Sequence, residues 1–535
     1  MKKSQFNILQ TFALLIISII MSSCEDFLSS IRNENSQSIE SLLYNINDID
    51  VCINGAYGAF CSNSYYNNVV LTQTLGSDEI TNTKNPSILP DFLSISAYNY
   101  HFSYQCNTDN YQAGSVLMWG SFVTNNSNVV IKSIENKLPN LRNFNDTLNA
   151  ERLLGEAYLL RACVEYYNNL YVGRQYHPST LQLPASLYRK RAILGFEDIP
   201  EPRKTVEQVH QYIIEDLQNA RKLLPQYYEK TIHPVAYQYR CKRDVAIAML
   251  AKAYFQQNQF DSALVYINQL LGNQTGASNK YPLQTTNNYN QLFRIVDKTN
   301  YQANSKSEII MGFHGNSAFR PTSTQEWSMF HWSAFQNLQN SDLTNLRFRI
   351  VMDSALIKSF LKGDTLNDVR FKNMIYITKN IGKESPAGQW TSLKHAYPTS
   401  NVVWLRAAEF HLMRAEIYLH KDNLSSSINE LNIVRKRAGL DNYTFAGKTQ
   451  LFQAIIDERF REMHFEGIRR SDNIRLASLS DSNAASYLPM PYKLGNIPLG
   501  NRALLITDSI LHWNDERLYC LIPENEYIYN PALKR

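Results

Sequence analysis

No block of lysine and arginine runs through this chain, and its charge is thin: 53 basic against 48 acidic residues leave +5 over 535 positions. A nucleic-acid binder carries a clustered basic footprint, so that class is set aside. Glycine (20) and proline (18) are scarce, which excludes collagen-like and low-complexity chains. A mean hydropathy of −0.35 excludes a polytopic membrane protein. Cysteine is sparse as well. Beyond Cys24 there are Cys52, Cys61, Cys106, Cys163, Cys241 and Cys520, with no Cys-x-x-Cys pair. An even number permits disulfides in an exported protein, but the spacing matches no known framework and no structural metal site is expected. Cys163 falls within an apolar helical pattern and reads as a small core residue. What the chain has in excess is aromatic: 33 Tyr, 24 Phe and 6 Trp. A chain of this length buries roughly 75% of its unfolded surface, so its core needs no covalent staple.

The only long apolar run stands at the start. Lys2 and Lys3 precede a stretch of about 14 mostly apolar residues, Ile8 to Met21. A bilayer span takes about 20, so this reads as a signal-peptide core. It ends in Met21-Ser22-Ser23-Cys24, which resembles the bacterial lipoprotein signal. The resemblance implies removal of residues 1–23 and lipidation of Cys24. Each buried CH₂ of an attached chain contributes ~0.8 kcal/mol, so several acyl chains anchor a protein stably. Glu25-Asp26 resembles the acidic pair that marks lipoproteins for the outer face of the membrane. Residues 24–45 are polar and rich in Asn and Ser, as a tether would be.

From Ile46 onward the apolar period is helical. Ile53, Tyr57 and Phe60 share one face, as do Val129, Val130, Ile134 and Leu138. Leu154 to Val172 continues the pattern. Val206 to Leu224 is amphipathic and is stopped by Pro225. An internal repeat follows. Ala251 to Phe255, then Phe260, Ala263 and Leu264, recur 164 positions later as Ala415 to Leu419, then Leu424, Ser427 and Ile428. Each copy reads as two helices around a short polar turn, with small residues where the helices cross. This resembles the tetratricopeptide hairpin, here dispersed rather than arrayed.

Two stretches break the period. Residues 272–400 are rich in Asn, Thr, Ser and Gln and hold Trp327, Trp332 and Trp390; only residues 307–313 read as a strand. Thr74 to Gly114 holds Tyr98, Tyr100, Tyr104 and Tyr111. Long irregular segments on a helical scaffold are usually functional loops. Trp119 and Trp404 lie in apolar helical patterns and read as core.

Catalytic signatures fail one by one. There is no His-Glu-x-x-His helix and no Gly-x-Ser-x-Gly elbow. Gly447-Lys448-Thr449 resembles the end of a phosphate loop, but Asn442 stands where its first glycine belongs. It reads instead as a loop whose Thr449 caps a helix starting near Leu451. Glu458, Glu462 and Glu466 share a helix face at spacings that would suit a glycosidase pair. Arg459, Arg461, Arg469, Arg470 and Arg475 crowd them, and positive neighbours make carboxyls poor general acids. A structural ion-pair network is the better reading.

That segment also carries the strongest pattern. Glu458-Arg459, Glu462, Glu466-Gly467, Arg469, Asp472 and Arg475 resemble the C-terminal signature of the SusD/RagB family, Glu-Arg-x-x-Glu-Leu-x-x-Glu-Gly-x-Arg-x-x-Asp-x-x-Arg, with Met463 in place of the Leu. Asn432 with Arg435, Arg437, Ala438, Gly439 and Leu440 resembles a second family motif. Gly155-Glu156-Ala157, with Leu160, Arg161 and Ala162, resembles a third. Gly55, Tyr57, Ser77-Asp78-Glu79, Ile522-Pro523, Glu526 and Asn530-Pro531 fall at matching places, so the resemblance spans the mature chain.

The resemblance implies a mostly α fold of about four tetratricopeptide-like hairpins, with a loop-rich part mainly at 272–400, in one domain over residues 46–535. It implies an outer-membrane lipoprotein facing the exterior that captures oligosaccharide and hands it to a SusC-like TonB-dependent transporter. It implies neither catalysis nor a cofactor. Sugars stack their C–H faces on aromatic rings and bond their hydroxyls to polar groups. The resemblance implies a site drawn from the segment after the first hairpin and from the middle irregular segment, which makes Asp78, Tyr98, Tyr100, Tyr104, Trp327 and Trp332 the ligand candidates; Trp390, a tryptophan in polar surroundings, joins them. A peptide ligand, as in the RagB branch, is the alternative; a glycoside hydrolase ranks below both.

Overall fold

The computed structural model describes residues 43, 45–81, 111–137, 140–228, 240–273, 275–276, 278, 280–293, 307–313, 351–377, 388, 390–394, 402–479, 487–489 and 510–533. The chain divides into two compact units, Met1–Ile49 and Asp50–Arg535. Only the start of the first helix is described in the former. There the backbone N–H groups of Asn45 and Asp48 each donate to the other's side chain at 3.0 Å, a reciprocal cap that satisfies two end donors.

In chain order the first elements are α1 (Ile46–Phe60), α2 (Asn68–Leu75), β1 (Ile80–Thr81), α3 (Tyr111–Lys137), α4 (Phe144–Val172), α5 (Val206–Leu223), α6 (Arg243–Gln256) and α7 (Phe260–Leu271). Then come β2 (Ile309–Phe313), β3 (Val351–Met352), α8 (Ser354–Leu361), α9 (Val369–Met374), β4 (Ile375–Ile377), β5 (Trp390–Ser392) and β6 (Val402–Arg406). The chain closes with α10 (Ala407–His420), α11 (Leu424–Arg437), α12 (Lys448–Met463), α13 (Arg469–Leu479), β7 (Tyr487–Pro489), β8 (Ile510–His512) and α14 (Glu524–Tyr529). The fold is mostly helical, as expected. Consecutive long helices pack on one another: α3 on α4, α4 on α5, α5 on α6, α6 on α7, and α10 on both α11 and α12. Among the described residues, strands appear only as two-stranded antiparallel pairs, β1–β3, β2–β6, β4–β5 and β7–β8.

Local sequence accounts for the helix ends. Thr205 and Gln208 form a capping box at the start of α5, and Leu224-Pro225 ends it. Asn143, Asp353 and Asp368 accept the second free N–H of α4, α8 and α9. The repeat is exact at the backbone. Helices α6 and α10 begin at Arg243 and Ala407, and α7 and α11 at Phe260 and Leu424, both 164 positions apart. In the turns, Asn258 and Asp422 take matching left-handed φ of 59° and 57°. Gln259 N–H bonds Tyr254 C=O, and Asn423 N–H bonds Tyr418 C=O, each at 2.9 Å. Asn and Asp tolerate that conformation better than other non-glycine residues. Ala251, Ala263, Ala415 and Ser427 are fully buried, and the Ser427 hydroxyl donates to Ala415 C=O at 2.7 Å.

Three expectations change. Helix α12 starts at Lys448, with Gly447 (φ +125°) as its cap, so Thr449 lies inside the first turn. A glycine with positive φ makes the sharp entry without a capping side chain. Tyr111 and Gly114 belong to α3 rather than to an irregular stretch. The segment 272–400 holds β2, β3, β4, β5, α8 and α9, so part of it is regular. The strand expected at 307–313 is present as β2, paired with β6 from Ile309↔Arg406 to Phe313↔Val402. The five described cysteines, Cys52, Cys61, Cys163, Cys241 and Cys520, are free thiols, with Cys163 fully buried. Among the described residues no helix is long and apolar enough to cross a membrane.

Candidate ligand site and the ion network behind it

Helix α12 delivers Glu458 and Glu462 into the interior, each 0% exposed. Glu462 is held by Arg406, Arg437 and Arg370. Glu458 is held by Arg370 at 2.6 Å, Arg461 at 2.8 Å and Arg435 at 3.3 Å. Just past the helix, Glu466 takes Lys394 and Arg406 at 2.7 Å. Glu308, just before β2, takes Arg437 at 2.7 Å and Arg406 at 3.1 Å. The structural ion-pair network read from the sequence is thus present. Burial opposes charge on Glu458, but Arg370 and Arg461 overcome it and hold the carboxyl at about 2. Glu462 lies well below the usual carboxylate range and Glu466 is lowered, burial being outweighed by arginine in both. None of the three keeps a proton to give near neutral pH.

Each family-like motif sends its charge into such pairs. Glu156 takes Arg152 and Arg240 at 2.5 and 2.8 Å; Arg161 grips Asp216 at 2.6 Å. Arg459 pairs Asp472 at 2.6 Å, and Arg475 pairs Glu416 at 2.8 Å. Arg370, Lys394 and Arg406 were not singled out by sequence, because each sits in a segment without helical period. The one available signal was a charge ending the apolar run Val402 to Leu405. Among the described residues no group of three or more His, Cys, Asp or Glu is arranged to hold a metal ion.

The early Ser77-Asp78-Glu79 motif meets the late signature. Both oxygens of Asp78 accept from Arg469 at 2.7 Å, and Asn473 donates to one of them at 3.1 Å. Burial opposes this charge, yet Arg469 keeps the Asp78 carboxyl below its ordinary range. Glu79 accepts from Phe465 N–H at 2.8 Å and from the Ser77 hydroxyl at 3.1 Å. Its burial pushes the carboxyl up to about 7. These contacts pin the turn after α12, where Phe465 has φ +61° and Gly467 φ +74°. A Cβ on Gly467 would stand 2.8 Å from Val70 Cα, so both conformation and space demand glycine there.

Of the other ligand candidates, Trp390 is described. It opens β5 opposite Ile377, half-buried, with its ring tilted on Phe371 at 5.6 Å. The strand hangs on the end of α12. Ser392 Oγ lies 2.9 Å from His464 Nε2, and Lys394 Nζ donates to Glu462 C=O at 2.6 Å and His464 C=O at 3.0 Å. Burial lowers the Lys394 ammonium to about 8. Tyr98, Tyr100, Tyr104, Trp327, Trp332 and the proposed anchor Cys24 lie outside the described residues. Trp404 is core, its indole N–H donating to Tyr167 Oη at 2.7 Å. Trp119 is only half-buried and meets the exposed Phe122 edge-on at 6.1 Å, so it is not the core residue expected.

Comparison with known proteins follows these features. The model of the SusD family matches residues 250–535, and a model described as starch-binding associating with outer membrane matches residues 46–255. The starch-binding protein SusD of Bacteroides thetaiotaomicron is 42% identical over 85 residues, 16% of this chain and 14% of that protein. A crystal structure of a SusD superfamily protein from the same organism covers 92% of this chain and 99% of its own, with a TM-score of 0.71 at 17% identity. A putative sugar binding protein from Bacteroides vulgatus superposes over 92% of this chain and 98% of its own, with a TM-score of 0.68 at 17% identity. Surface glycan-binding protein A from Bacteroides uniformis does so over 91% and 98%, with a TM-score of 0.64 at 17% identity.

Proposed function

The chain belongs to the SusD family, and on that footing we propose that it is a glycan-binding lipoprotein of the outer membrane. It is anchored through Cys24, faces the exterior, and hands captured oligosaccharide to a SusC-like TonB-dependent transporter. The observation that carries this reading is that the two family models follow one another over residues 46–255 and 250–535. The signature carboxylates support binding over cleavage, since arginine keeps them ionised and a glycosidase needs one protonated acid. No cofactor enters the reading.

Direct ligand contacts are assigned to Tyr98, Tyr100, Tyr104, Trp327, Trp332 and Trp390. Asp78, with its oxygens engaged by Arg469 and Asn473, is assigned to the supporting frame rather than to direct contact. Calorimetric titration of the purified chain against a panel of oligosaccharides and peptides tests the reading. Saturable glycan binding without product release is expected. Binding to peptides alone would move the protein to the RagB-like alternative. Released sugar that disappears in Glu458→Gln would make it a hydrolase.

A further inference from the structure

Three guanidiniums gather at the C-terminal end of α4: Arg174, Arg203 and Arg470. A helix end offers roughly half a negative charge. Arg470 Nη1 donates to Leu170 C=O and Arg203 Nη2 to Val172 C=O, both at 3.0 Å, which draws on that charge. Carboxylates do not make up the difference. Arg174 has Glu516 at 3.9 Å, and the Glu516 side chain is 92% exposed. Arg470 is 9% exposed and, among the described residues, forms no ion pair. Its neighbours in the same segment differ. Arg459, Arg461, Arg469 and Arg475 each hold a carboxylate within 2.8 Å.

Arg470 and Arg174 line one narrow cleft with Gln175, Tyr176, His210 and Tyr519. No aspartate or glutamate is among the described residues that line it. His210 adds no charge near neutrality, because burial lowers it to about 4. Arg174 lies over the Tyr519 ring, 4.6 Å from its centre. Asn169 Oδ1, also buried and on the same wall, accepts no hydrogen bond from the described residues. Leaving a guanidinium buried and unpaired is costly, and an anion with its own hydrogen-bond acceptors offsets that cost.

We propose that the cleft between Arg174 and Arg470 is an anion site that takes a carboxylate or sulfate group. The free carbonyl of Asn169 suits a hydroxyl beside that group. The site does not rest on the glycan reading and is tested separately. The full chain is titrated with sodium sulfate against sodium chloride at equal ionic strength, and in parallel with glucuronate and glucose. Sulfate or glucuronate is expected to bind saturably, weakened about tenfold by Arg470→Gln or Arg174→Gln and less by Arg470→Lys. Sulfate binding alone supports the site as one for a free inorganic anion; glucuronate binding alone supports it as one for a sugar acid. Equal responses to sulfate and chloride with no glucuronate binding, or glucose binding as well as glucuronate, would overturn the proposal. So would affinities unchanged in the glutamine variants. Arg174→Gln, at a more exposed position, keeps the test decisive if Arg470→Gln does not fold.

Discussion

Asp78 and Arg469 lie 391 residues apart in the chain and meet in a two-armed ion pair, 2.7 Å on each arm. A planar guanidinium against a carboxylate fixes angle as well as distance. The third residue after α2 is thereby set against the residue that begins α13, and Glu79 ties down the turn after α12 through Phe465 N–H. Motifs that look independent along the sequence thus act as parts of one electrostatic frame.

Arg459→Ala and Glu466→Ala are expected to destabilise the fold by about 3–5 kcal/mol each, the cost of leaving a buried partner uncompensated. The first leaves Asp472 with Arg475 alone, at 3.9 Å, and the second leaves Lys394 and Arg406 short of a carboxylate. Denaturant unfolding measures the loss, while calorimetry on the folded fraction shows ligand affinity unchanged. Intact melting with abolished binding would instead make this segment a ligand surface.

Glu79→Gln is expected to stabilise the protein at and above neutral pH. The carboxyl is raised from 4.5 to about 7 by burial. A raised carboxyl contributes stability that is fully present below its unfolded value and is lost as pH rises through the folded one. The wild type therefore loses stability from about pH 4.5 to about pH 7 through this group, by about 1–3 kcal/mol, and the glutamine variant does not. Melting temperatures of both proteins between pH 5 and pH 8 check it; parallel profiles would refute it.

Trp390→Ala, Trp327→Ala and Trp332→Ala are expected to weaken oligosaccharide binding. A desolvated aromatic hot spot contributes about 2 kcal/mol, or about 30-fold in affinity. Trp390 is the most exacting case, since its ring also packs on Phe371. Circular dichroism confirms folding and calorimetry reads the affinity. Three folded variants binding within twofold of wild type would remove all three tryptophans from the site.

Cys24→Ala is expected to leave the domain folded and release it from membranes into the soluble fraction. Fractionation with immunoblotting reads this directly. Full retention on membranes would assign the anchor to another element.

The helices were legible because apolar spacing near 3.6 records them directly, and the 164-residue repeat marked two matching hairpins. The charges at Glu458, Glu462 and Glu466 announced pairing, but not with whom. Arg370 and Arg406 arrive from segments about 90 and 60 residues away, and nothing local encodes such meetings. Thr449 misled because a good capping residue stood near the helix start, while Gly447 made the turn by conformation alone. For the ligand site, aromatic excess pointed to candidate stretches; the pairing of Asp78 with Arg469 was beyond reach, because it depends on how α2 and α13 come together.

The matched hairpins carry a kinetic consequence. Helices α6 and α7, like α10 and α11, are joined by turns whose hydrogen bonds span at most five residues. Short-range closure of this kind is fast. The pairs that lock the hairpins together join residues far apart, such as Lys252 with Glu409 across 157 positions. Such contacts wait on slow loop closure. Refolding is therefore expected to proceed on two clocks, with helical signal recovered early and the arginine–glutamate lattice closing last. A chain caught between them holds its hairpins but not their mutual registration.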